Sequence, residues 1–161
     1  MELHFPLILD GATGTQLQKR GCTSGMCSEQ WVLEHPESIV EIQKNYIASG
    51  SQIVYACTFG ANRVKLEENG IFNQVRDYNL RLVALSKQAA AGKAWVAGDI
   101  APTGKFLAPM GDMAFEEMVE IYTEQASALE EAGVDLFVIE TMMTLPEARA
   151  ALLAVKSVSR K

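Results

Sequence analysis

The sequence predicts an α/β fold built on a parallel sheet. Three observations lead there. Short, continuous apolar runs recur at similar intervals, segments with helical periodicity separate them, and each run ends in polar residues. Continuous rather than alternating apolar runs suit strands buried on both faces, and regular strand–helix alternation implies right-handed crossovers.

The four runs are Leu7-Ile8-Leu9, Ile53-Val54-Tyr55, Trp95-Val96-Ala97 and Leu136-Phe137-Val138-Ile139. Gly or Asp flanks most of them, which favours strands over helix fragments. In the first helical segment Ile39, Ile42 and Tyr46 share a face, and Gly50 stands where a helix-ending glycine belongs. In the second, Tyr78, Leu82, Leu85 and Ala89 form the stripe, closed by Gly92. In the third it is Phe115, Met118, Tyr122, Ala126 and Leu129, closed by Gly133. The fourth opens with Thr144-Leu145-Pro146-Glu147, where Thr144 is the cap, Pro146 sits in the first turn and Glu147 completes a capping box. Ala148, Leu152 and Val155 continue it. The stretch Gly11–His35 is long for a connection, and a loop of that length is usually functional. A short helix is expected within it around Thr15–Arg20.

Composition narrows the function classes. The 161 residues carry 14 Lys+Arg against 20 Asp+Glu, a net charge of −6, with 48% hydrophobic residues. Residues 1–161 read as one domain. An acidic chain without a basic tract is a poor ligand for nucleic acid or anionic membranes. No apolar run reaches the roughly 18 residues of a membrane helix. No basic segment opens the chain, so no secretory signal is expected. Three cysteines, Cys22, Cys27 and Cys57, form no disulfide framework, which suggests a reducing, cytoplasmic setting.

The strand ends carry the candidate chemistry. The first run ends in Asp10, the second in Cys57-Thr58, the third in Gly98-Asp99, the fourth in Glu140-Thr141. In parallel α/β folds ligands bind at the carboxyl ends of the strands, so these residues are expected to share one face. Carboxylates without basic partners call for a cation: a hard metal such as Mg²⁺, or the ammonium of an amino acid. For an amino acid, the small residues of Asp10-Gly11-Ala12-Thr13-Gly14-Thr15 offer backbone N–H groups to its carboxylate. The glycine spacing matches neither the Rossmann nor the P-loop fingerprint. Cys22-x4-Cys27 with His35 is a loose match to a zinc site and reads better as loop thiols. His4 and His35 stand outside the strand-end set. Cys57 reads as a small buried hydrophobe, and Met110, Met113, Met118, Met142 and Met143 as packing residues.

Four segments in order carry a resemblance. They are Asp10–Thr15, Thr58-Phe59-Gly60-Ala61-Asn62-Arg63-Val64-Lys65-Leu66, Gly98-Asp99-Ile100-Ala101-Pro102-Thr103-Gly104 and Ile139-Glu140-Thr141-Met142. Together they resemble the homocysteine S-methyltransferase family, in particular the N-terminal homocysteine-binding module of cobalamin-dependent methionine synthase. The resemblance implies a (β/α)8 TIM-type barrel, of which this chain is the N-terminal (β/α)4 half. It implies methyl transfer to the homocysteine thiol, yielding methionine. It also implies a zinc ion held by three cysteines, which turns that thiol into a thiolate. By resemblance Asp10 and Glu140 bind the substrate ammonium, backbone N–H groups around Gly11, Ala12 and Thr13 bind its carboxylate, and Thr58 and Asp99 line the pocket.

Two departures shape the expectation. Betaine-using relatives carry an aromatic residue after the Thr-Phe pair, where this chain has Gly60, which points to the corrinoid-dependent branch, with the methyl donor on another domain. The family's zinc cysteines lie on later strands, and none of Cys22, Cys27 or Cys57 matches them. The chain is therefore expected to hold half a substrate site and no metal or catalytic residue of its own. It should be inactive alone and either self-associate or pair with a C-terminal half-barrel. The alternatives are half of a split enzyme, or a non-catalytic amino-acid-binding or dimerising half-barrel.

Overall fold

The computed structural model describes residues 5–161; His4 falls outside them. Among the described residues seven helices and three strands follow in the order α1 (Thr13–Gln18), α2 (Ser28–Glu34), α3 (Pro36–Ala48), β1 (Ile53–Tyr55), α4 (Arg63–Glu68), α5 (Val75–Ala90), β2 (Trp95–Ile100), α6 (Phe115–Glu131), β3 (Leu136–Ile139) and α7 (Leu145–Val158). The sheet is parallel, in the order β1-β2-β3. Val54 pairs with Val96, and Gly98 with Phe137.

Four strands were expected and three form. The run at 7–9 is extended but joins the sheet through a single bridge, Leu9 to Ile53. Its neighbour Gln52 explains why. The Gln52 N–H donates to the Ile8 carbonyl at 2.8 Å, while the Gln52 side-chain oxygen accepts from the Ile8 N–H at 3.0 Å. A side chain thus stands in for one rung of the ladder. Ile8 and Leu9 are 57% and 45% exposed, so little packing holds the run flat against the sheet.

The helices α3, α5 and α6 stand where the stripes put them, whereas α7 forms in the expected place but turns a different face inward. Ala150, Ala151, Ala154 and Val155 are buried, and Leu152 of the expected stripe is 50% exposed, because only small residues fit where α7 lies against α6. Gly50, Gly92 and Gly133 adopt φ of 107°, 73° and 73° just past α3, α5 and α6, a region open to glycine without strain. Thr144 caps α7 by accepting the Glu147 N–H at 3.3 Å. Glu147 does not return the bond in a capping box. It is buried, and its Oε1 accepts from the Thr103 N–H (3.0 Å), the Thr103 hydroxyl (3.0 Å) and the Tyr122 hydroxyl (2.9 Å). The loop after β2 is thereby tied to α6 and α7.

Two apolar clusters fill the interior. One packs β1 and β2 against α5, α6 and α7, where fully buried Ala150, Ala151 and Ala154 let α7 lie close to α6 around Tyr122 and Leu129. The other joins α1 through α5, with Leu17, Trp31, Ile39, Leu66 and Leu82. Burying each such Leu or Ile contributes about 1.5–3 kcal/mol. The Gly11–His35 stretch holds two short helices, α1 near the expected place and α2 beyond it. Trp31 of α2 stacks on His35 with ring centroids 4.4 Å apart. No described helix is long and apolar enough to cross a membrane.

Candidate active site

At the carboxyl ends of the strands lies a cavity of about 550 Å³. Its wall holds Asp10, Gly11, Ala12, Thr13, Asp99 and Glu140, so six of the seven residues expected from the sequence meet there. Each arrives differently. Asp10 follows the extended run and is anchored by the Tyr55 N–H, which donates to its Oδ2 at 2.9 Å. Asp99 lies within β2, which runs on to Ile100. Glu140 follows β3, its N–H donating to the Ile100 carbonyl at 3.0 Å. The next residue, Thr141, has φ of 57°, a left-handed conformation that β-branched residues rarely adopt.

Thr58 is elsewhere. It is fully buried behind the wall, and its hydroxyl donates to the Asp99 carbonyl at 2.9 Å while accepting the Asp99 N–H at 3.1 Å. It stitches β2 to the end of β1 rather than touching the cavity. Gln125 of α6 supports the same joint, its Nε2 donating to the Thr58 carbonyl at 2.8 Å. The sequence carried one sign of Gln125: it interrupts an apolar stripe, three residues from Tyr122 and four from Leu129.

The electrostatics are one-sided. Four carboxylates line the cavity, those of Asp10, Asp99, Glu140 and Glu29, and no Lys, Arg or His is among its lining residues. Burial, then the neighbouring Glu140, Asp10 and Glu29, push the Asp99 carboxyl up to about 8. Burial also raises Asp10 to about 6, against the opposing pull of the Tyr55 N–H and its own, with Glu140 adding to the rise. Asp99 Oδ1 is buried and finds no hydrogen-bond partner in the protein. Such a set favours a positively charged guest that brings its own donors.

Sequence reasoning missed Glu29, Tyr55 and Phe59, all of which line the cavity. Glu29 sits in a polar stretch with no strand nearby to mark it. Cys57 does border the cavity but is buried, and burial first, then Glu29 and Asp99, hold its thiol well above the ordinary range. Cys22 and Cys27 are likewise raised, chiefly by burial. These are protonated packing thiols, and among the described residues no three His, Cys, Asp or Glu side chains are arranged to hold a metal ion. The zinc that the family resemblance implies does not fit the residues present.

The sequence pattern of one family, described as homocysteine S-methyltransferase, matches residues 7–161. The chain belongs to the homocysteine S-methyltransferase family. Methionine synthase of Mycobacterium tuberculosis is 30% identical over 159 residues, covering 91% of this chain and 13% of that protein. The homocysteine S-methyltransferase YbgG of Bacillus subtilis is 28% identical, covering 94% of this chain and 55% of its own length. The crystal structure of the homocysteine methyltransferase MmuM of Escherichia coli, in its metallated form, superposes with a TM-score of 0.79 at 28% identity, covering 94% of this chain and 59% of that one. The chain thus spans little more than half the length of YbgG and MmuM, and a small part of methionine synthase.

Proposed function

We propose that this chain is the amino-acid-holding half of a homocysteine S-methyltransferase barrel and that its cavity takes homocysteine. The observation that carries the reading is the set of Asp10, Asp99 and Glu140 around one cavity without a basic partner, with one Asp99 oxygen left unpaired. An ammonium group supplies both the charge and the donors that this set lacks. Asp10 and Glu140 hold it from two strand ends, and Asp99 sits beneath. The substrate carboxylate meets backbone N–H groups of Gly11, Ala12 and Thr13, where the first turn of α1 leaves such groups without an intrahelical acceptor.

Activation of the thiol is a different matter. A free thiol has a pKa near 8.5, and surrounding carboxylates push it up rather than down. Nothing in this cavity makes a thiolate. The chain binds and orients the amino acid, and methyl transfer requires the zinc ligands of a second half-barrel and a methyl donor, a corrinoid on another domain. The edge of the sheet supports the division. β3, the last strand in the order, is partly exposed along its whole length, and Met143, Leu145, Leu152 and Leu153 in the segment that follows it are exposed too. An open edge with apolar flanks is suited to pairing with further strands.

For this chain alone the expected affinity is in the millimolar range, about −4 kcal/mol. NMR titration tests the reading. L-homocysteine shifts the amides of Gly11, Thr13 and Glu140 to saturation, and 4-mercaptobutyrate, which lacks the amino group, does not. Equal shifts from both compounds would overturn the ammonium assignment.

A further inference from the structure

We propose that Glu29 is a positioning residue of this cavity: its carboxylate fixes the turn after β1 and so places Phe59 against the bound amino acid. The proposal rests on the reading of the cavity as an amino-acid site and adds a specificity-determining residue to it. Glu29 is 4% exposed and has only neutral partners. Its Oε1 accepts the Gly60 N–H at 2.6 Å, and its Oε2 accepts from the Ser28 hydroxyl at 2.9 Å and the Cys27 thiol at 3.5 Å. A buried carboxylate with no cation is an expensive way to fill space, and an apolar side chain would pack the same volume more stably. Its placement therefore points to a task that an apolar residue cannot do.

The turn shows what the task is. Residues 56–61 fold tightly, with the Thr58 N–H donating to the Ala56 carbonyl at 2.7 Å and the Ala61 N–H to the Thr58 carbonyl at 3.0 Å. The near end is pinned by Thr58 through β2. The far end is pinned by Asn79, whose Nδ2 donates to the Ala61 carbonyl at 2.9 Å. Between these anchors lie Phe59 and Gly60. Phe59 is 41% exposed and forms part of the cavity wall. Glu29 takes the Gly60 N–H directly, from α2, 31 residues earlier in the chain.

Gly60 is shaped to this contact. A Cβ at position 60 would lie 3.0 Å from Glu29 Oε1 and 3.1 Å from Cδ and Oε2. That is tighter than ordinary van der Waals contact, so a side chain there pushes the carboxylate by a few tenths of an ångström and stretches its bond to the Gly60 N–H. Glu29 and Gly60 work as a pair, and the ring of Phe59 goes where the pair holds it.

The test compares Glu29→Gln, Glu29→Ala, Gly60→Ala and the double variant Glu29→Ala/Gly60→Ala in this chain. Circular dichroism checks that each is folded. Two readouts are taken by NMR: hydrogen-exchange protection of the residue 60 amide, and affinity for L-homocysteine. Glu29→Gln keeps an acceptor of the same reach and retains both. Glu29→Ala loses about tenfold or more in each, as expected for a charge-assisted hydrogen bond. Gly60→Ala leaves Glu29 in the chain yet gives a similar loss, and the double variant is no worse than the worse single one, the signature of a coupled pair. The proposal is overturned if Glu29→Ala keeps the Gly60 amide protected, or exposes it with homocysteine affinity unchanged. It is equally overturned if Gln fails to rescue, or if the two Ala substitutions add. Should the wild-type chain not bind homocysteine at all, the function proposed above fails, and the Gly60 amide alone decides the positioning.

Discussion

Asp99→Asn makes the chain more stable at neutral pH and removes part of its pH dependence. Asp99 is 5% exposed, and burial followed by Glu140, Asp10 and Glu29 lifts its carboxyl to about 8. In the unfolded chain the same group titrates near 3.9. The sign follows from linkage. A raised acid prefers its neutral form when folded, so its contribution is intact below the unfolded value and is lost as pH rises toward the folded one. Within that window the loss is about 1.4 kcal/mol per pH unit, so from pH 5 to pH 7 Asp99 alone removes up to about 3 kcal/mol. Asparagine has no proton to lose. The assay is urea unfolding of both chains at pH 5, 6, 7 and 8, followed by the fluorescence of Trp31 and Trp95. The stability difference in favour of Asn should widen steadily between pH 5 and pH 7. Parallel curves for the two chains would refute the reasoning, because they would mean that Asp99 ionises as easily when folded as when unfolded.

Other perturbations probe the frame around the site. Glu147→Ala takes the carboxylate acceptor from the buried Thr103 N–H and hydroxyl, while the Tyr122 hydroxyl keeps the Ala101 carbonyl, and a thermal melt should show a loss of about 2–6 kcal/mol, at roughly 1–3 for each of the two Thr103 donors. Thr141→Gly relieves the left-handed strain beside Glu140 and should stabilise the chain by about 1 kcal/mol in urea unfolding; a loss of stability would mean that the residue is held there by packing rather than under strain. The partly exposed β3 and the bare Leu145, Leu152 and Leu153 should make the isolated chain self-associate in sedimentation or bind an apolar dye. A compact monomer that binds no dye would contradict the open-edge reading.

Much of this architecture is legible in the residues, and the parts that are not have physical reasons. The stripes of α3, α5 and α6 are read correctly because each helix buries one face, and periodicity reports burial directly. Asp10, Asp99 and Glu140 converge because parallel strands send their carboxyl ends to one side. The run at 7–9 is apolar enough to be a strand, but pairing depends on its neighbour, and there the Gln52 side chain replaces backbone. Thr58 carries the right chemistry at a strand end, yet its hydroxyl is spent on the Asp99 backbone, a choice set by inter-strand geometry that spacing does not reveal. Glu147 has the spacing of a capping box and turns inward instead, because Tyr122 and Thr103 offer it three donors. Glu29 is the hardest case: its partner Gly60 lies on another element, and only the folded chain brings them together.

The most direct test of the proposed site is the affinity of Asp10→Ala and Glu140→Ala for L-homocysteine, measured by NMR titration beside the wild-type chain. Under the proposed assignment each substitution removes one charge-assisted contact to the ammonium, worth about 1.5–3 kcal/mol. Affinity should fall by about tenfold to a hundredfold in each, so that the variants no longer approach saturation where the wild type does. Wild-type affinity in both folded variants would contradict the assignment and return the two carboxylates to a structural role at the strand ends.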